Sequence, residues 1–284
     1  MIKPMLAQVY DPNKFDISLH SGVMIQPKLD GIRCIFTKDG AYSRAGNRFN
    51  NLAHLELKLQ PFFKKNPDVI LDGELYNHKL KNNFEKIVSL VKKQKPTADD
   101  RLNAQHLIQY YLYDVIPTKP STNKVHNERH DFLCKEFNNF SSKYPIQITP
   151  TYPIVNEEVM RKFHKSFLEE GYEGSIIRAN QLYKHKRSPW LLKVKDFSDT
   201  EATIVGYEEG KGKRQGTLGK FIMQDDEGIE FGCPPGKGYD YKDLAAMLDN
   251  IHYYIGKRAT FTYFQKTKKG SYRHPLFKSL RNYE

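Results

Sequence analysis

The chain is poor in sulfur and has no long apolar run, and both shortages exclude whole classes of protein. Its three cysteines, Cys34, Cys134 and Cys233, lie about a hundred residues apart. No C-x-x-C pair accompanies them, and the one H-x-x-x-H pair, His126 and His130, has no cysteine pair to complete it, so neither a zinc site nor a disulfide framework is expected. An odd and sparse set of thiols suits a reducing compartment. No apolar stretch approaches a membrane span, and the N-terminal Met-Ile-Lys-Pro-Met-Leu-Ala-Gln lacks the apolar core of a signal peptide. The reading is a soluble intracellular protein with no membrane partner. Acidic side chains are also in deficit: 33 against 45 basic ones, a formal charge of +12. That balance leans toward polyanions, nucleic acid first and a membrane surface second. Apolar residues make up 39% and aromatics 13% of the 284 residues, ample for packed cores and enough chain for two modest domains or one large one.

Periodicity divides the chain. As far as about residue 195, short strands mix with amphipathic helices. Leu52, Leu55, Leu59 and Phe62 recur at helical spacing behind Asn51, a good cap. Phe84, Ile87, Val88 and Val91 do so behind Asn82-Asn83. Met160, Phe163, Phe167 and Leu168 predict a helix from Asn156 to a stop at Gly171. Between them, Val69-Leu71, Leu107-Ile116, Ile146-Thr149 and Ser175-Arg178 read as strands. This irregular order predicts an α+β fold with mostly antiparallel sheets. Asp196-Phe-Ser-Asp-Thr200 reads as a linker. Beyond it come strands at Ala202-Tyr207, Phe221-Gln224, Ile229-Phe231, Ala259-Phe264 and Leu276-Arg281, with one helix from Tyr241 to Tyr254. Five strands with a helix before the fourth predict a small Greek-key barrel of the OB type, a platform for nucleic acid.

The segment Gln26-Pro27-Lys28-Leu29-Asp30-Gly31-Ile32-Arg33 carries the most chemistry. Pro27 holds the chain extended and delivers Lys28 at the end of a strand. Asp30-Gly31 then predicts a turn, with Ile32-Phe36 running back as the second strand of a hairpin. A lysine so placed can act as a covalent nucleophile where burial or neighbouring cations keep it neutral. Alone, K-x-D-G is expected by chance in about one chain in ten. It is not alone. Leu71-Asp72-Gly73-Glu74-Leu75 ends a strand with two carboxylates, and Glu173-Gly174-Ser175-Ile-Ile-Arg178 opens one with a third. Leu191-Leu-Lys193-Val-Lys195 alternates, so both lysines are expected on one face. Ser43-Arg44 sets a cation in a turn.

Together and in this order, with Tyr111-Leu-Tyr113-Asp114-Val115, these strings resemble the covalent nucleotidyltransferase superfamily, most closely the small ATP-dependent DNA ligases of viruses and phages. The resemblance covers nearly the whole chain. It implies a nucleotidyltransferase domain of ATP-grasp-like antiparallel sheets and helices over 1–196, then an OB-fold barrel over 197–284. It also implies an enzyme that seals 5′-phosphate/3′-hydroxyl nicks in duplex DNA through enzyme-AMP and AMP-DNA.

In that light Lys28 would attack the ATP α-phosphate, and Lys193 and Lys195 would stabilise the phosphate charge and help keep Lys28 neutral. Gln26 is expected among the nucleotide contacts, Glu74 would hold the ribose hydroxyls, and Tyr113 would stack on adenine. Glu173, with Asp30, would hold Mg²⁺ or Mn²⁺. Arg33, Arg44 and Arg187 would contact the adenylate or the 5′-phosphate at the nick; for Arg187 the alternative is plain solubility. Gly210-Lys211-Gly-Lys213-Arg214-Gln-Gly216 resembles a basic DNA-contacting loop of ligase OB domains, or is a solvated hairpin tip.

Two stretches depart from the family pattern. Arg273-His-Pro-Leu-Phe-Lys278-Ser-Leu-Arg281 resembles the last motif only loosely. Tyr207-Lys220 is too short for the insertion with which some small viral ligases clamp the duplex, so encirclement should be weaker or left to the basic surface. No further DNA-binding module is evident, and a minimal monomer is expected. The rival readings are an mRNA capping guanylyltransferase using GTP, an RNA ligase, and a non-catalytic OB-type nucleic-acid binder.

Overall fold

The computed structural model describes residues 2–137, 145–196, 198–236, 238–267 and 270–281. The chain forms two compact units, Met1–Val194 and Lys195–Glu284.

Two five-stranded sheets build the first unit. One runs β1 (Leu6–Val9), β10 (Arg187–Val194), β9 (Ser175–Arg178), β2 (Met24–Pro27) and β8 (Tyr152–Pro153). The other runs β4 (Gly40–Tyr42), β3 (Ile32–Thr37), β5 (Ile70–Tyr76), β6 (Gln109–Ile116) and β7 (Ile146–Ile148). Pairing is antiparallel except for β1 with β10 and β6 with β7. Alternation gives each sheet one apolar face. Cys34, Phe36, Leu71, Leu75, Tyr110 and Leu112 of the second sheet join a core with α1 (Ala53–Lys65), α2 (Phe84–Val91), α3 (Ala98–Leu107) and α4 (His126–Phe137). Ile25, Ile177 and Leu192 of the first sheet pack with Met160 and Phe167 of α5 (Glu157–Glu170). The opposite faces carry polar residues beside a smaller apolar cluster that includes Ile35, Ile70, Ile116 and Leu191.

The expected Lys28 hairpin does not form. β2 pairs with β8 and β9, and β3 pairs with β4 and β5, so residues 28–31 cross from one sheet to the other. The local sequence specifies two strands and a break; which neighbours they take is decided by distant segments. Gly31 permits the crossing, because a Cβ there would lie 2.3 Å from the Leu75 carbonyl oxygen.

Asn156 caps α5 by accepting from the Val159 amide, and the helix stops at Gly171 as expected. Asn51 is not the cap of α1. Leu52 holds that position, and the Asn51 amide is spent on the carbonyls of Leu90 and Asp100. The sequence reading missed α3 and α4. Both are largely polar, and α3 rests on a Thr97/Asp100 capping box rather than on an apolar stripe.

The second unit is a sheet in the order β13 (Glu230–Cys233), β12 (Leu218–Gln224), β11 (Ser198–Glu209), β14 (Arg258–Tyr263) and β17 (Leu276–Leu280). Just past β13, Pro235 bridges to Phe277 of β17, drawing the two edge strands together as a barrel requires. A further hairpin, β15 (Gln265–Lys266) with β16 (Tyr272–Arg273), was not foreseen. The expected linker at 196–200 is largely strand, since β11 begins at Ser198; Phe197 lies outside the described residues. The expected helix over 241–254 breaks at Asn250 into α6 (Tyr241–Asp249) and α7 (Ile251–Tyr254). Only residues 210–217 separate β11 from β12. Among the described residues no helix is long and apolar enough to cross a membrane.

Candidate active site

The polar faces of the two sheets of the first unit meet around Lys28. Its amide donates to the Gly174 carbonyl at 2.8 Å and its own carbonyl accepts from the Glu173 amide at 3.0 Å. These bonds continue the β2–β9 ladder by one step and place the Lys28 ammonium in an ion pair with the Glu173 carboxylate. Gly174 makes this possible. Its φ is +146°, and a Cβ would lie 2.3 Å from the Val194 carbonyl oxygen.

From the second sheet, Arg33 and Glu74 sit directly opposite one another on β3 and β5. Cross-strand partners share a face. A register shift between Asp72 and Gly73 leaves Tyr113 of β6 as the extra residue. A bulge re-aims its side chain, and here the Tyr113 hydroxyl donates to Glu74 at 3.3 Å. Gln26, Lys28, Arg33, Glu74 and Tyr113 line one cavity of about 130 Å³, together with Arg178 and Leu191. Lys193 follows Leu191 by two on β10 and pairs with Ile176, another lining residue, so it lies on the same cavity-facing side.

Burial dominates the electrostatics. It pushes the Glu74 carboxyl up to about 7, against the opposing pull of Lys28 and Arg33. It also pushes the Tyr113 phenol well up, keeping that hydroxyl a donor. Arg33 is committed to Asp72 through a fork with Nε···Oδ1 at 2.8 Å, and its Nη1 donates to the Met5 carbonyl.

The sequence reading missed the buried set behind the cavity. Asp114 takes Arg129 on both oxygens, at 2.7 and 3.1 Å, and Arg178 at 2.9 Å. Arg178 in turn donates to Gln26 Oε1 at 2.6 Å and lies 5.0 Å from the centre of the Tyr113 ring. Burial opposes ionisation of Asp114, yet the two guanidiniums hold its carboxyl down at about 2. Asp114 and Arg178 stand inside the quoted strings, where a sharper reading could have flagged them. Arg129, on a helix that periodicity did not reveal, left no signal.

Other expected residues lie elsewhere. Asp30 belongs to the crossing segment. Arg44 is exposed in the turn after β4. Arg187 is exposed at the start of β10 and donates to the carbonyl of Ala7, itself a lining residue. Lys195 falls one residue beyond the end of β10; in the second unit its ammonium lies 4.7 Å from the Phe264 ring centre. Lys211, Lys213 and Arg214 are exposed on the loop between β11 and β12. In the loosely matching C-terminal stretch, Lys278 and Arg281 pair with Asp199 and Glu201.

Residues 4–195, two thirds of the chain, match the ATP dependent DNA ligase domain, and residues 209–281 match the DNA ligase OB-like domain. The chain belongs to the ATP-dependent DNA ligase family. Among its curated ligase relatives, a DNA ligase of African swine fever virus (isolate Pig/Kenya/KEN-50/1950) is 27% identical over 290 residues, covering 95% of this chain. The chain spans 66% of that viral ligase's length, just short of two thirds. A DNA ligase of Haemophilus influenzae is 25% identical over 255 residues, 87% of each chain. In fold, the chain is similar to a solved Lig E DNA ligase described as binding DNA with a minimal scaffold. The two share a TM-score of 0.80 at 22% identity, over 99% of this chain and 100% of that one.

Proposed function

We propose that this ligase-family chain is an ATP-dependent DNA ligase that seals 5′-phosphate/3′-hydroxyl nicks in duplex DNA. One observation carries the reading: a lysine pinned by its backbone to Glu173 and Gly174 at the head of β9, in a cavity to which the other sheet contributes Glu74 and Tyr113. The adenylation domain spans 1–196 and the OB-fold domain 197–284; the enzyme works as an intracellular monomer.

In the first step Lys28 Nζ attacks the α-phosphorus of ATP. The N–P bond forms, the bond to the β-phosphate oxygen breaks, and pyrophosphate leaves. Nζ must shed a proton to attack and a second once bonded, and the Glu173 carboxylate already touches it. Lys193 and Lys195 offset the charge on the phosphate and favour the neutral amine. Glu74 accepts from the ribose hydroxyls, and Tyr113 and Gln26 contact the base. The 5′-phosphate of the nick then attacks the same phosphorus and releases Lys28. Finally the 3′-hydroxyl attacks the 5′-phosphate and AMP leaves. Arg33 steadies this wall of the site through Asp72, while Arg44, Arg187, Lys211, Lys213 and Arg214 take the DNA backbone.

Among the described residues no three His, Cys, Asp or Glu side chains group to enclose a metal ion. That fits Mg²⁺ or Mn²⁺ held by one or two carboxylates, Glu173 and Asp30, with substrate phosphates completing the shell. The ion would supply charge neutralisation at the transferring phosphate.

The OB-like C-terminal match supports DNA joining over RNA joining. The test is covalent labelling with α-labelled ATP or GTP, followed by sealing of a nicked duplex. Label from ATP and sealed product are expected. Label from GTP instead would make the chain a capping-type enzyme, and no label from either would make it a binder.

A further inference from the structure

Arg129 lies outside every motif of the sequence, yet it ends a buried chain that leads into the nucleotide cavity. Its guanidinium holds both oxygens of Asp114, and its Nη1 donates to the carbonyls of Lys124 and Gln181. Asp114 Oδ2 also takes Arg178, whose Nε donates to Gln26 Oε1. Gln26 Nε2 donates to Thr151 Oγ1 at 2.9 Å, and that hydroxyl donates to the Thr149 carbonyl at 2.8 Å. Gln26, Asp114, Arg129 and Arg178 are each at most 5% exposed.

This chain has a polarity. A guanidinium has N–H donors and no acceptor. The side of Gln26 that faces Arg178 must therefore be its oxygen. A flipped amide would set donor against donor, and a buried pair of that kind forfeits a charge-assisted bond. The hydroxyl of Thr151, already donating to a carbonyl, takes the amide nitrogen. Gln26 is thus fixed in one of its two orientations while it lines the cavity. Orientation is what distinguishes purines. Adenine presents a 6-amino donor and guanine a 6-keto acceptor, and an amide that turns over exchanges the groups it offers them.

We infer that the buried chain Arg129–Asp114–Arg178 is a positioning device that locks the Gln26 amide and thereby sets the preference for adenine over guanine nucleotides. The inference rests on the nucleotidyltransferase reading of the cavity. Arg129 touches no substrate; it acts by holding Asp114, and through it Arg178, in register. Without Arg129, Asp114 can turn away from Arg178, and Arg178 no longer dictates which end of the amide it meets.

The test measures covalent labelling by ATP and by GTP across concentrations, for the full chain and its variants. Arg129→Gln should lower the ATP-over-GTP ratio about tenfold, the worth of one misdirected hydrogen bond, while label still forms at saturating ATP. Adding Gln26→Glu should restore the ratio, because a carboxylate accepts from Arg178 and from a 6-amino group whichever way it turns. General damage to the fold would not be repaired by that change. Arg129→Lys, which keeps the charge but cannot hold both Asp114 oxygens, serves if Arg129→Gln does not fold; the ratio must fall there too. An unchanged ratio in a folded Arg129 variant, or a fallen ratio that Gln26→Glu leaves uncorrected, overturns the inference. Absence of label from either nucleotide on the native chain would instead remove the enzymatic reading on which it rests.

Discussion

The Lys28 ammonium rests on the Glu173 carboxylate, although the two residues stand 145 apart in sequence. Two backbone hydrogen bonds between the same neighbourhoods fix the pair, so the contact follows from the β2–β9 register rather than from side-chain chance. The carboxylate that holds the amine is also the one best placed to receive its proton.

Removing that carboxylate should therefore strike the first chemical step. Glu173→Gln keeps the shape and loses the charge, and should slow enzyme labelling by ATP about 100-fold or more, the usual worth of a positioned acid–base group. Sealing of a nick supplied already adenylylated depends less on this step. Comparing the two rates separates loss of Lys28 activation from general damage.

Glu74 predicts a pH dependence. With its carboxyl pushed up to about 7, it is protonated below that pH and becomes the better acceptor for ribose hydroxyls above it. The apparent affinity for ATP should improve as pH rises through 7, and Glu74→Gln should remove that inflection. The stability effect has the opposite sign. A carboxyl raised from 4.5 binds its proton more tightly folded than unfolded, so stability falls as pH rises from 4.5 to about 7. Thermal melts of native and Glu74→Gln protein across this range check the second part.

Asp114 should behave the other way. Its carboxyl is held down at about 2 from 3.8, so it contributes stability above pH 3.8 that is lost as pH falls through about 2. Asp114→Asn leaves Arg129 and Arg178 buried without their counter-charge and should cost roughly 3–5 kcal/mol in denaturant unfolding. A cost below about 1 kcal/mol would mean that water reaches the pair.

Much of this site was legible because its parts are short strings with fixed order. Lys28, Glu74, Tyr113 and Glu173 were named from sequence, and the structure brings them together. What was not legible is long-range. The turn at Asp30-Gly31 looked like a hairpin because local pattern marks strands without marking their partners. The Tyr113 bulge is set by register with β5, and the Arg129–Asp114–Arg178 set joins three segments with no shared periodicity. Helices α3 and α4 escaped because each buries few apolar residues.

In the second unit, the loop carrying Lys211, Lys213 and Arg214 offers three exposed cations. Changing all three to Ala should lower the salt dependence of nick binding by up to about 0.9 for each phosphate no longer neutralised. Labelling by ATP should stay as it was. An unchanged slope would make the loop a solvated hairpin tip.

Everything proposed for this site requires that Lys28 carry the nucleotide. The most direct measurement is to incubate the chain with ATP and Mg²⁺, digest it, and locate the added AMP by mass spectrometry. AMP is expected on the peptide containing Lys28 and on no other, with neither adduct nor nick sealing in Lys28→Ala. AMP on a different residue, or nicks sealed by Lys28→Ala, would contradict it.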